Sequence, residues 1–145
     1  MITIELNQQL LRGGQRVPKK RIKQVAKKAA EVMELKKEVL VSVAFVSKKE
    51  IKQLNKVYRG KDELTDVLSF SLAEAETLGE ILINYDQAQK QAQAQKHSTR
   101  NEIVFLLVHG LVHLFGYDHV KDVDKKKMFA LQNKILIKLN INPTL

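Results

Sequence analysis

The 145-residue chain has no cysteine and no tryptophan. Without thiols it can form neither disulfides nor thiolate metal sites, and a reducing compartment suits it. Aromatic residues make up only 6% of the chain, and no stretch collects them into a platform for stacking bases. Two prolines and six glycines leave no linker-like segment, and no internal repeat is visible, so a single domain spanning residues 1–145 is expected. No apolar run is long enough to cross a bilayer; the longest, around Ile103–Phe115, contains two histidines. The opening Met1–Asn7 lacks a basic region followed by a long apolar segment, so no secretory signal is expected. A soluble, cytoplasmic protein with no membrane partner is therefore expected. Acidic residues are also in the minority, 16 against 25 lysines and arginines, giving a net charge of +9 and a pI near 9.7. Such a balance favours a polyanionic partner such as RNA, DNA or an acidic membrane surface, although simple solubility produces it too.

At 44% apolar and 28% charged, the composition is globular. Ile2, Ile4 and Leu6 alternate as in a strand, and Val39–Val46 is apolar on both faces, as a central strand would be. After Pro18 the spacing predicts a helix to about Leu35, with Ile22, Val25, Ala26, Ala29 and Met33 on one face. Lys19, Lys20, Lys23, Lys27 and Lys28 lie mostly opposite and read as a solvated face. Ser47 and Glu50 form a capping box for a short helix carrying Ile51, Leu54 and Val57. A polar loop, Tyr58–Asp66, leads into a strand at Val67–Phe70, and Gly79–Asn84 reads as another. Gln87–Lys96 suits an exposed helix without an apolar stripe, and His97 at its end reads as a surface histidine. Thr99 and Glu102 have capping-box spacing, and capping is the expected duty of Glu102, a supporting role behind the histidines of the same helix face being the alternative. In the final helix, capped by Asp122 or Asp124, Met128, Leu131, Ile135 and Leu139 form the buried face, and Pro143 lies beyond its end.

Three of the four histidines fall between positions 109 and 119. A helix from about Thr99 to Phe115 would be apolar over most of its circumference, hence buried. Glu102, Leu106, His109 and His113 make a narrow stripe along it, with His109 and His113 at i and i+4 on one face. Gly116 stands where a left-handed cap would end the helix and turn His119 back towards the other two. Three imidazoles with one position left open are the composition of a catalytic metal site. The bland alternative is three ordinary histidines, each hydrogen-bonded to a carbonyl. The spacing resembles that of zincin metalloproteases, in which a glutamate follows the first histidine as general base. Here that residue is Gly110, so peptide hydrolysis by that route is not expected.

The segment His109-Gly110-Leu111-Val112-His113-Leu114-Phe115-Gly116-Tyr117-Asp118-His119 resembles the signature H-G-x-x-H-L-x-G-Y-D-H of the YbeY family of bacterial ribosomal-RNA maturation factors. Asn55–Phe70 resembles a second characteristic block of that family, and Gly79–Ile83 a third. Ser71 and Glu80 depart from the family's common proline and aspartate. The resemblance implies a zincin-like α/β (α+β) domain, with a mixed four-stranded sheet, about five helices and a central buried helix carrying the metal ligands. It implies a zinc-dependent endoribonuclease acting on single-stranded RNA in small-subunit ribosomal RNA maturation and ribosome quality control. Carried over, His109, His113 and His119 match the ligands of one Zn2+, and Arg59 matches the family's functional arginine. An ion pair with Asp62 or Asp66 is the structural alternative for Arg59.

Asp66 and Asp118 are candidate acceptors for the ring N–H of a ligating histidine. Each has another possible duty, Asp66 as a turn cap and Asp118 in stabilising the Gly116 turn. The alternatives to the nuclease are a non-catalytic ribosome-assembly factor with a structural metal, and a metallohydrolase acting on another substrate.

Overall fold

Valine and isoleucine at alternate positions build the centre of the molecule. In the computed structural model, which describes residues 1–72, 77–116 and 122–142, four strands form one mixed sheet. Their order is β1 (Ile2–Asn7), β2 (Val39–Phe45), β4 (Thr77–Ile83) and β3 (Val67–Ser71). β1 and β4 run parallel to β2, and β3 runs antiparallel to β4. Register puts Ile4 beside Val41, Val43 beside Ile81 and Phe45 beside Ile83, so one face of the sheet is continuously apolar. The helices are α1 (Lys19–Val32), α2 (Lys48–Arg59), α3 (Tyr85–Ala94), α4 (Thr99–Leu114) and α5 (Asp122–Lys138). The apolar face packs into the main core with residues of α1, α3, α4 and α5, while Leu68 and Leu82 on the opposite face form a smaller cluster with Val46 and Ile51, the latter from α2. Val41, Val43, Ile81, Val104, Val108, Leu111 and Val112 have no exposed surface, and each such side chain contributes about 1.5–3 kcal/mol of burial free energy. The mixed α/β architecture expected from the sequence is present. Ser71 and Glu80 sit in regular pairs with Gly79 and Phe70, so neither departure from the family residues disturbs the β3–β4 ladder.

α4 is the buried helix. It lies close against the sheet because a glycine of the helix, Gly110, and one of the sheet, Gly79, leave room there. A Cβ on Gly110 would stand 2.9 Å from Ile81 Cδ1 and 3.1 Å from its Cγ1 and Cγ2, and a Cβ on Gly79 would strike the Phe70 carbonyl oxygen and Leu114. Position 110 therefore belongs to the helix–sheet interface. A glutamate there would drive a charged side chain into the apolar core, which gives the missing protease base a packing cause.

Several helix ends differ from the sequence expectations. α1 stops at Val32 rather than near Leu35. Glu34 takes a left-handed φ of 53°, and its N–H and that of Leu35 donate to the carbonyls of Glu31 and Ala30, the pairing of a Schellman motif. The same device closes α3 at Lys96 (φ 59°) and α5 at Asn140 (φ 61°). α3 is also less exposed than its composition suggests, because Ala88 and Ala92 are fully buried. Met128 and Ile135 on α5 and Leu139 just past its end are buried as expected, Leu131 only partly, and Leu136 and Gln132 join them. Pro143 and the side chains of Asp122 and Asp124 lie outside the described residues.

Candidate active-site cleft

The polar loop between α2 and β3 is positioned by α2. Ser47 caps the start of that helix, its hydroxyl accepting from the Glu50 N–H, and Gly60 ends it with a left-handed φ of 69°. That turn sends the chain back along the helix. Asn55, buried one turn after the buried Ile51, donates through Nδ2 to the Glu63 carbonyl at 2.9 Å. A buried amide bonded to a loop carbonyl satisfies both groups and holds the loop at one distance from the helix. Between this loop, the edge strand β3 and α4 lies a cleft of about 260 Å³, lined among others by Asn55, Arg59, Lys61, Asp66, Ser69, His109 and His113.

His109 and His113 stand on successive turns of α4, their rings 5.6 Å apart and inclined at 66°. Phe105, a turn earlier, lies nearly parallel to the His109 ring at 6.5 Å. Nδ1 of His109 is 2.9 Å from Oε1 of Gln132 on α5. Both histidines are half-buried, so each has an apolar side and an edge on the cleft. His119 and Asp118 lie outside the described residues. Gly116 has the left-handed φ, 91°, expected of a cap. Among the described residues no three histidine, cysteine or acidic side chains are placed to hold a metal ion together; two of the three expected ligands are brought into one cleft.

Arg59, at the end of α2, donates through Nη2 to the Ser69 carbonyl of β3 at 3.3 Å. It makes no ion pair with Asp62 or Asp66, so its charge is not neutralised by either neighbour. Asp66 lines the same cleft, its Oδ1 3.4 Å from Thr65 Oγ1 and its carbonyl accepting from Asn84 N–H at 2.9 Å.

Glu102 does not cap α4. Ser98 does, its hydroxyl accepting from the Asn101 N–H, and the Glu102 side chain is buried with that of His97, Nε2 to Oε1 at 2.7 Å. His97 is accordingly not a surface residue: only 11% of its side chain is exposed. The Schellman turn at Lys96 swings it back over the start of α4. Burial raises the Glu102 pKa and the nearby charge of Asp66 adds to the rise, while the His97 hydrogen bond opposes it. The native state thus holds a proton that the unfolded chain releases at the ordinary glutamate value of 4.5. The stability this supplies is fully present below that value and is lost as pH rises through the folded-state pKa. Glu102→Gln keeps an acceptor for His97 without the charge. Its stability relative to wild type is expected to improve as pH rises from 4.5 through the folded-state pKa of Glu102 and then to level off, read from urea midpoints at a series of pH values. A constant difference across that range would contradict this account.

A cleft that sets an arginine fork and two imidazoles side by side, on a strongly basic chain, has the equipment of a phosphodiester-cleaving enzyme. Comparison with known proteins is in keeping with this. Residues 4–140 match the family model described as Endoribonuclease YbeY, and the chain belongs to that family. It is 44% identical over 122 residues to the endoribonuclease YbeY of Bacillus pumilus, covering 74% of this chain and 77% of the relative. With that of Ureaplasma parvum it is 42% identical over 125 residues, covering 83% and 81%. A Thermotoga maritima protein solved in solution superposes with a TM-score of 0.61 at 32% identity, over 97% of this chain and 92% of the other.

Asn55 and Gln132 are site-region residues to which the sequence assigns no role, and the His97–Glu102 bond replaces the separate surface and capping duties expected of its two partners. Asn55 and Gln132 did carry a signal. Each is a polar residue one turn from a buried apolar one, Ile51 and Met128 respectively, where a buried stripe would otherwise continue.

Proposed function

We propose that this chain is a zinc-dependent endoribonuclease that cleaves single-stranded RNA in the cytoplasm. Its task is maturation of small-subunit ribosomal RNA and ribosome quality control, in association with the small subunit. The observation that carries this reading is the presence of His109, His113 and Arg59 on one cleft in a member of the YbeY family. The donor set fits zinc: neutral imidazoles on adjacent turns of a rigid helix are its usual nitrogen ligands, and His119 is the expected third. When bound, the metal supplies a hydroxide equivalent near neutral pH and a positive charge beside the phosphate.

The chain's own residues do the rest. His109 and His113 present their rings from a helix locked into the core, which fixes the cleft's geometry in advance of substrate. Arg59 meets the negative charge that gathers on the phosphoryl oxygens with a planar, permanently charged donor fork. Asn55 keeps the Lys61–Asp66 loop in place, and with it the Lys61 side of the cleft. Elemental analysis of rigorously purified protein, with a single-stranded RNA cleavage assay before and after chelation, tests the reading. About one zinc per chain is expected, with cleavage lost on chelation and restored by zinc. Cleavage that survives complete removal of metal would sink it, and metal-loaded protein that binds RNA without turnover would favour an assembly factor instead.

A further inference from the structure

Gln132 sits in the middle of the buried stripe of α5, between Met128 and Leu136, which have no exposed surface, and is itself only 1% exposed. An amide placed there costs free energy unless it is hydrogen-bonded. Its Oε1 lies 2.9 Å from Nδ1 of His109, across the interface between α5 and α4. The amide oxygen faces the ring, and the contact is a hydrogen bond when Nδ1 carries the proton, because an acceptor is met by a donor. In the neutral ring that leaves Nε2 as the deprotonated nitrogen. Phe105 on one side and His113 on the other limit the ring's rotation, so the ring's orientation and its proton are set from opposite directions.

We propose that Gln132 is a positioning residue that holds His109 in the Nδ1–H tautomer and so presents Nε2 as the metal donor. This rests on the reading of His109 as a ligand. An amide suits the task in one respect that a carboxylate does not: it accepts the hydrogen bond without adding a negative charge to a buried interface. Loss of such an outer hydrogen bond ordinarily weakens metal affinity about 10–100-fold. A residue that only fills space in α5 would change stability and leave the tautomer alone.

The test is nitrogen-15 NMR of the imidazoles in metal-free protein at a pH where they are neutral, together with zinc titration against a chromophoric chelator. Wild type is expected to show His109 protonated at Nδ1. Gln132→Met, which fills the same space without an acceptor, should shift the ring towards the Nε2–H form and weaken zinc binding by about 10–100-fold. Gln132→Glu, which restores an acceptor, should keep the wild-type tautomer and recover most of the affinity. Finding His109 protonated at Nε2 in wild type, or zinc bound equally tightly by Gln132→Met, would overturn the proposal. Should Gln132→Met fail to fold, the wild-type spectrum and Gln132→Glu still decide it. His113→Ala separates the two ideas. If it loses zinc and Gln132→Met does not, only the positioning role fails; if it binds zinc like wild type, the metal reading itself fails, whatever the tautomer.

Discussion

Replacing His113 with alanine is expected to reduce cleavage of single-stranded RNA about a thousandfold or more. Metal-assisted stabilisation of a transition state supplies several kcal/mol, and each 1.36 kcal/mol is tenfold in rate. The fold should survive. The His113 ring is half-buried at the cleft rather than in the core, and it lies next to the end of α4, where the helix is followed by the Gly116 turn. The diagnostic comparison is thermal unfolding with zinc and with chelator. Wild type should unfold at a higher temperature with zinc, because a ligand that binds only the native state stabilises it by mass action. In His113→Ala the two curves should converge. A variant that still cuts RNA at the wild-type rate would show that the cleavage comes from elsewhere. A variant that loses activity while keeping the full zinc-dependent stabilisation would move His113 from the metal to some other role.

How far the chain discloses itself depends on whether a feature is local. The strands at Ile2, Val39, Val67 and Gly79 and the helices α1, α4 and α5 follow from local patterns of apolar side chains, alternating at Ile2, continuous at Val39 and around α4, and striped in α1. α3 escaped because alanine carries little hydropathy: Ala88 and Ala92 are as buried as any leucine, yet the segment reads as polar. The early end of α1 escaped for a different reason. Glu34 and Lys96 occupy left-handed positions normally taken by glycine, and nothing in their side chains announces it. Ser98 rather than Thr99 caps α4, a shift of one residue that frees Glu102 for its bond to His97, and boundaries of this kind are the least readable part of any helix.

The site divides in the same way. The pairing of His109 with His113 is a local consequence of helical spacing, legible at once. That Arg59 and His109, fifty positions apart, line one cleft depends on β3 pairing with β4 and on α4 crossing the sheet at Gly110, which are tertiary facts. Only the family resemblance could supply that association in advance. The Gln132–His109 bond spans 23 positions and lies beyond both kinds of reading, although an amide within the apolar stripe of α5 marked where to look. Gly110 is the reverse case: the general base it lacks is legible locally, while the cause, the Ile81 side chain beneath it, is tertiary.

Arg59→Ala is expected to lower kcat by about 10²–10³, the usual cost of removing one donor aimed at developing negative charge, with a much smaller change in KM. The reasoning runs from its surroundings. The guanidinium is exposed, tied among the described residues to the Ser69 carbonyl and free of any ion pair with the nearby Asp62 and Asp66. Such an exposed hydrogen bond contributes about 1 kcal/mol or less, so the unfolding midpoint should hardly move. A residue that merely attracts RNA would behave differently: its loss would raise KM and reduce the salt dependence of binding. Lys61, on the same cleft, is the control for that behaviour, and Lys61→Ala should show a salt-dependent KM effect with kcat nearly intact. Arg59→Lys should recover only part of the rate, because an ammonium keeps the charge but not the planar fork. If Arg59→Ala and Lys61→Ala change the same kinetic constant to the same degree, Arg59 is one more member of a basic surface. If Arg59→Ala lowers kcat alone, its charge acts on the reacting phosphate.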